Sequence, residues 1–405
     1  MSFPFALPML LDGGAVAALA GAIPRGVCAE RWLCEHPEPL ISLQQEYLRA
    51  GSQAICAPTA GANAVHLKEY GLQGSVEEIN QKLLAASKAA AAGAPAGGTL
   101  GPTGLFVPPL GGADFDDIYD CYREQVRALA DGGADFLFVE SQTSLADMRA
   151  AVLAARTANL PVIVSITVDP SGRTLTGGSL LPTIITMQAM DVDAVGLNGS
   201  LTPGEMLPIL KEVLPHASVP ILMKPSAERA GGSLLSPGEF ASGVRSLLRA
   251  GASIVGGCRG TGPAHIAELK REVDRFAPLY KGAAADYEDA DNYAAAIETE
   301  AFFLGDDIVF SEPITCSIGL GDDLIDLDDE QVNAALVELH SMDDVMLLTE
   351  HCSMTRLPIA IHTESQTILD AALRYFQGRL IIDSACDIDT ELIEQINAKY
   401  GAILY

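Results

Sequence analysis

Positive charge is scarce in this chain. Lysine and arginine total 25 residues against 53 aspartates and glutamates, a formal net charge of −28 in 405 residues. So acidic a balance repels both a nucleic-acid backbone and an anionic membrane surface, which excludes both as partners. Long hydrophobic runs are missing too. No stretch offers the roughly eighteen uninterrupted apolar residues that a membrane helix needs. The segment Met1 to Asp12 lacks the basic flank of a secretory signal, so the sequence predicts a cytoplasmic protein. Paired cysteines are absent as well: Cys28, Cys34, Cys56, Cys121, Cys258, Cys316, Cys352 and Cys386 are scattered, with no CxxC among them. They read as reduced thiols, mostly core filler, and only Cys258 has a chemically loaded context.

Apolar residues make up 49% of the chain, ample for one barrel-sized core and a smaller second unit. Up to about residue 255, short β-branched runs alternate with longer stretches of helical periodicity, the pattern of a parallel α/β architecture. The predicted strands are 8–11, 54–57, 98–101, 136–140, 162–167, 194–198, 220–224 and 253–256. The predicted helices include 39–50, 76–92, 115–131, 144–157, 184–190, 204–214, 236–250 and 264–276. Eight of each predict a (β/α)8 TIM barrel over residues 1–280. The small, acidic run from Lys281 reads as a linker over 281–296. Residues 297–405 again read as α/β, with strands at 307–310, 345–349, 359–362, 380–383 and 402–404 and helices at 330–340 and 366–376. That is half of a second barrel, whose open strand edges need covering by the first domain or by another copy.

In a barrel, chemistry collects where strands end. The strands here end on Asp12, Thr59, Gly101, Glu140, Thr167, Asn198, Lys224 and Cys258. The last follows β-rich sequence inside the glycine-dense run Ile254-Val-Gly-Gly-Cys-Arg-Gly-Thr-Gly-Pro-Ala-His-Ile266, where backbone can approach a ligand closely. Several of these residues have ordinary structural readings. Asp12 can cap a turn, Glu140 can accept from loop amides, and Lys224 reads as a solvated lysine. Thr261, Pro263 and His265 read as the opening of a helix.

That glycine-dense run resembles the zinc motif of the homocysteine S-methyltransferase family, Gly-Gly-Cys-Cys-Gly-Thr-Thr-Pro-x-His-Ile. Further landmarks follow in order: Leu11-Asp-Gly-Gly14, Tyr47-Leu-Arg-Ala-Gly51, Pro58-Thr-Ala-Gly-Ala-Asn63, Leu100-Gly-Pro-Thr-Gly104, Gly132-Gly-Ala-Asp135 with Val139-Glu140, Val164-Ser-Ile-Thr167 with Gly172-Arg-Thr-Leu-Thr-Gly177, and Val195-Gly-Leu-Asn-Gly-Ser200. The resemblance spans about residues 7 to 270. It implies a barrel that transfers a methyl group to a thiol acceptor such as homocysteine, with Cys258 and Glu140 as catalytic candidates. Asp12, Thr59, Glu140, Asn198 and Arg259 are the substrate-binding candidates. The family position of Glu140 holds the amino group of homocysteine.

The family also implies a zinc ion on three cysteines. Here those positions are Gly199, Cys258 and Arg259, so Cys258 alone remains as a metal candidate, and a guanidinium has no lone pair to donate. Two alternatives stay open. Cys56, His265 or Asp12 rebuilds a zinc site, or Arg259 supplies the positive charge itself, lowers the Cys258 pKa, and holds an anionic metabolite in a repurposed barrel that binds this ligand or a protein partner without methylation. The first strand departs as well, with Gly13-Gly-Ala-Val-Ala17 in place of Gly-Ala-Met-Gly-Thr.

Beyond the linker, Leu357-Pro-Ile-Ala-Ile-His-Thr363, the run Leu369 to Ser384, and Lys399-Tyr-Gly-Ala402 resemble part of the pterin-binding barrel of cobalamin-dependent methionine synthase. A corrinoid or folate methyl donor, a corrinoid protein partner and a homo-oligomer are therefore the associations to consider.

Overall fold

The computed structural model describes residues 4–280, 293–305, 307–327 and 330–405. Eight short strands form one parallel sheet: β1 Met9–Leu10, β2 Ile55–Ala57, β3 Ala96–Leu100, β4 Leu137–Gln142, β5 Val162–Ile166, β6 Ala194–Asn198, β7 Ile221–Lys224 and β8 Ile254–Val255. From β2 to β8 each strand pairs with its neighbour in sequence, and β1 pairs with β8, Met9 opposite Ile254. This order curls the sheet into the predicted (β/α)8 barrel. At the seam between β1 and β2, Gln53 bridges the strands. Its N–H donates to Leu10 O at 2.7 Å, and its Oε1 accepts from the Leu10 N–H at 2.7 Å.

The period-2 alternation of each strand sorts its side chains. Met9, Cys56, Phe136, Phe138, Ile163, Ala194, Leu222 and Ile254 point inward as one apolar plug. Phe5 closes its lower end, packing edge-on to Phe136 with ring centroids 5.7 Å apart. Residues of the opposite parity, such as Val139, Val164, Val195 and Met223, face the surrounding helices. Those helices lie at Glu38–Ala50, Val76–Ala91, Phe115–Asp131, Leu145–Ala155, Leu180–Ala189, Pro203–Val213, Pro237–Ala250 and Pro263–Phe276, close to the predicted bounds. Their starts follow capping chemistry. Ser236, for instance, accepts from the Glu239 N–H while Glu239 accepts from the Ser236 N–H.

The described residues of the second unit form two sheets. The strands β9 Ala294–Ile297 and β10 Ala301–Phe303 form an antiparallel hairpin, extended by β14 Gly378–Arg379 beside β9. The strands β11 Ile314–Thr315, β12 Ala335–Glu338, β13 Ile359–His362, β15 Ile381–Ile382 and β16 Ile403–Leu404 pair in parallel in chain order, as in a partial barrel. The face that would line such a barrel is filled. Leu336, Ala360, Ile381 and Ile403 pack against Ala295, Phe302 and Leu304.

Three sequence expectations for this unit are corrected. Val345 to Thr349, expected as a strand, lies in the helix Met342–His351, and 330–340, expected as a helix, contains β12. The hydrophobic spacing of either run fits both periods. The capping box at Ser341, which accepts from the Asp344 N–H and donates nothing to a strand ladder, settles the helix start. Of 307–310, only Phe310 makes an isolated bridge, to Ala334. Of the expected linker 281–296, residues 281–292 lie outside the described residues, while 294–296 belong to β9.

The two units are joined by polar contacts. Arg149, 1% exposed in the helix Leu145–Ala155, donates to the carbonyls of Leu373 (2.7 Å), Arg374 (3.0 Å) and Phe376 at the end of the helix Gln366–Tyr375. Asp116 accepts from Arg374 and from the Tyr375 hydroxyl, and Glu298 accepts from the Leu145 N–H. The hairpin sheet also packs on the first unit, with Ala294 and Ala296 of β9 against Ile185 of the helix Leu180–Ala189.

Candidate active site

The inward parity of the strands changes from apolar to polar at the carboxyl end of the barrel. One residue pair above Phe138 and Leu222, β4 carries Glu140 and β7 carries Lys224. A bulge in β4 between Val139 and Gln142 aims Glu140, with Ser141 held at φ 62°. Asn198 at the end of β6 braces that bulge. Its Oδ1 accepts from the Ser141 N–H at 3.1 Å and the Ser165 hydroxyl at 3.0 Å, and its Nδ2 donates to Ser141 Oγ at 2.6 Å and Glu140 Oε1 at 3.3 Å.

Lys224 is buried, which corrects its reading as a solvated lysine. It is 2% exposed, its Nζ lies 2.9 Å from Glu140 Oε1 and 4.0 Å from Asp12 Oδ1, and it sits 5.0 Å above the Phe138 ring centroid. Burial works against the ammonium, but Glu140, Cys56 and Asp12 outweigh it and hold its pKa well above the lysine range.

Asp12, just past β1, is 1% exposed. Its Oδ2 accepts from the Cys56 N–H at 2.9 Å across the β1–β2 seam, while its Oδ1 accepts no hydrogen bond. Burial pushes its pKa up to about 6, against the pull of Lys224 and the Cys56 N–H. Asp12, Glu140, Lys224, Cys56 and Cys258 line one cleft of about 170 Å³ at the barrel mouth.

Cys258 belongs to this cleft, but its thiol pKa is raised rather than lowered. Burial acts first and Glu140 adds to it, while Lys224 and the backbone N–H groups of Arg259 and Gly199 offset them only in part. Arg259 does not fill the cleft. Its side chain is exposed and lines a separate surface depression with Glu205, Glu228 and Arg229. Thr59 is also outside the cleft: fully buried, it donates to Thr99 O and accepts from the Thr99 N–H, both at 2.8 Å, locking β2 to β3. His265 accepts from the Gly262 N–H and contacts Leu235 O, which makes it a helix-opening residue, with Gly262 rather than Thr261 at the N-cap.

The donor set does not fit zinc. Among the described residues no group of three or more Cys, His, Asp or Glu side chains is placed to hold a metal ion. Gly199 has φ 118°, and a Cβ there would meet Thr167 at 2.8 Å, so this backbone is shaped for glycine. The Lys224 ammonium lines the same cleft as the remaining cysteine and draws its pKa down. Sequence reasoning placed Lys224 at a strand end but read it as solvated, although its inward parity with Leu222 put it at the mouth.

Fold and cleft together define a (β/α)8 barrel of the enzyme type, with ionisable groups converging on the carboxyl ends of its strands. The homocysteine S-methyltransferase profile matches residues 9–273, and the chain belongs to that family. It is 32% identical over 257 residues to methionine synthase of Mycobacterium tuberculosis, and 30% identical over 259 residues to that of Mycobacterium leprae. These alignments cover 58% and 59% of this chain but 22% and 21% of the relatives, so the chain spans about a fifth of their length. The homocysteine methyltransferase MmuM from Escherichia coli, in its metallated form, superposes with a TM-score of 0.56 at 22% identity, covering 65% of this chain and 95% of that one. No helix among the described residues is long and apolar enough to cross a membrane.

Proposed function

We propose that this protein is a methyltransferase whose acceptor is a thiol of the homocysteine kind. The observation that carries the reading is the convergence of Asp12, Glu140 and Cys258 on one small cleft at the barrel mouth. A cleft of this size takes a small molecule. Lys224 and Asn198 both engage Glu140 Oε1, which leaves Oε2 for the acceptor's ammonium. Asn198 is a positioning residue that holds the β4 bulge, and Cys258 flanks the acceptor's sulfur. The relatives' shared name supports methionine as the product class. The second unit is read as a packing module, since the face that would line its half-barrel is filled by Phe302 and Leu304.

Thermal unfolding of the full chain with homocysteine, and with homoserine as the oxygen analogue, tests the proposal. At a homocysteine concentration about 100 times its Kd, stabilisation of about 2.7 kcal/mol is expected. Homoserine should give far less, and Glu140→Gln should weaken homocysteine binding at least about tenfold through the lost charge-assisted contact. Equal shifts with both compounds, or none with either, would remove the thiol acceptor from the reading.

A further inference from the structure

A thiol attacks a methyl carbon as its thiolate, so the proton on sulfur must go somewhere. The donor set at this barrel mouth does not fit a zinc ion that would displace it. The proton acceptor must therefore be found among the side chains of the cleft. Glu140 is held through Oε1 by Lys224 and Asn198. Cys56 and Cys258 both have thiol pKa values pushed up by burial, which makes their thiolates poor resting states.

Asp12 differs from all three. It lines the cleft; one of its oxygens is anchored by the Cys56 N–H, and the other is buried and has no hydrogen-bond partner. A buried carboxylate oxygen without a donor is costly, and a ligand that brings one relieves that cost. The ammonium of Lys224 lies 4.0 Å from this same oxygen, close enough to stabilise negative charge on either side of a proton transfer.

We infer that this barrel activates its acceptor thiol without a metal ion, with Asp12 Oδ1 as the general base and Lys224 as the fixed cation beside it. The inference rests on the thiol-acceptor reading. The S–H proton passes to Asp12, and the sulfur electron pair forms a bond to the methyl carbon of a cationic sulfonium or ammonium donor. The donor's carbon–heteroatom bond breaks with its electron pair staying on the leaving group, which departs neutral. The proton on Asp12 then returns to solvent. With two carboxylates and one ammonium, the cleft suits a donor that arrives positively charged. A carboxyl pushed up to about 6 is ionised at neutral pH and closer to a thiol in basicity than an exposed aspartate. The groups facing it are Lys224 on β7, Glu140 on β4, Cys56 on β2, and Tyr47 of the helix Glu38–Ala50. Cys258 lines the same cleft.

The test uses the full chain with homocysteine as acceptor and S-methylmethionine as the sulfonium probe. The expected result is turnover that survives EDTA and falls by about 10²–10⁴-fold in kcat in Asp12→Asn. Homocysteine affinity measured by calorimetry should change far less. The kcat/KM profile should fall on the acid side near pH 6 and lose that limb in the variant. Because Lys224 pulls the Asp12 pKa down, Lys224→Met should move the limb to higher pH, while Lys224→Arg should leave it near its original place. Activity that disappears with EDTA and returns with zinc would overturn the inference, as would an Asp12→Asn enzyme with unchanged kcat, or a limb that ignores Lys224→Met. A wild-type chain that neither binds nor methylates homocysteine would instead overturn the thiol-acceptor reading, and this inference with it.

Discussion

Asp12 has its pKa raised to about 6 from 3.8 because burial penalises its charge more than Lys224 and the Cys56 N–H relieve it. A folded pKa above the unfolded one means that this group favours the folded state below pH 3.8, and that the benefit is lost as pH rises through 6. A shift of that size corresponds to about 3 kcal/mol. Asp12→Asn should therefore match the wild type in stability near pH 3.5 and exceed it above pH 7 by about 1–3 kcal/mol. Urea unfolding at the two pH values checks this, and a variant destabilised equally at both would contradict it. The site was partly legible in the sequence, because strand ends are a sound place to look for chemistry, and Asp12, Glu140 and Cys258 do meet. Thr59 and Arg259 lie in the loops two and four residues past their strands, where strand parity no longer sets direction, and Thr59 turns to Thr99 while Arg259 turns to the surface. Lys224 was misread for the opposite reason. An isolated lysine in a sequence is usually solvated, and only a carboxylate from β4, 84 residues away in sequence, makes its burial tolerable.

At the scale of elements, the barrel was legible nearly strand by strand, because inward apolar and outward apolar positions alternate in every run and the helices between carry clear stripes. The seam was not. Gln53 closes β1 onto β2 with its backbone and its side chain, and no local pattern distinguishes it from a surface glutamine. Gln53→Ala leaves the buried Leu10 N–H without its acceptor, and a loss of about 1–3 kcal/mol is expected. Hydrogen exchange at the Leu10 amide should quicken while the amides of β5 and β6 stay protected. Unchanged exchange at Leu10 would mean that water or another group takes over. The exchanged assignments around Glu330 to Thr349 arose where short apolar runs satisfy both periods, and the Ser341 to Asp344 capping box was the local signal that separates them.

At the scale of the molecule, the second unit is held on the barrel by a buried arginine that caps a helix belonging to the other unit. Arg149 completes the carboxyl end of Gln366–Tyr375, and burial lowers its pKa to about 10. Arg149→Met fills much of the same volume but leaves those carbonyls without a donor, at a cost of about 1–3 kcal/mol. Calorimetry should then resolve two transitions where the wild type shows one; a single unchanged transition would show that the interface rests on other contacts. The sequence by itself determined the barrel, its helices and the family, because these depend on periodicity and on motif order along the chain. Tertiary structure alone decided which charges share the mouth, that Lys224 rather than Arg259 is the cation there, and that the half-barrel is filled and capped. Those outcomes depend on which distant residues converge in a low-dielectric space, and no spacing along the chain encodes that distance.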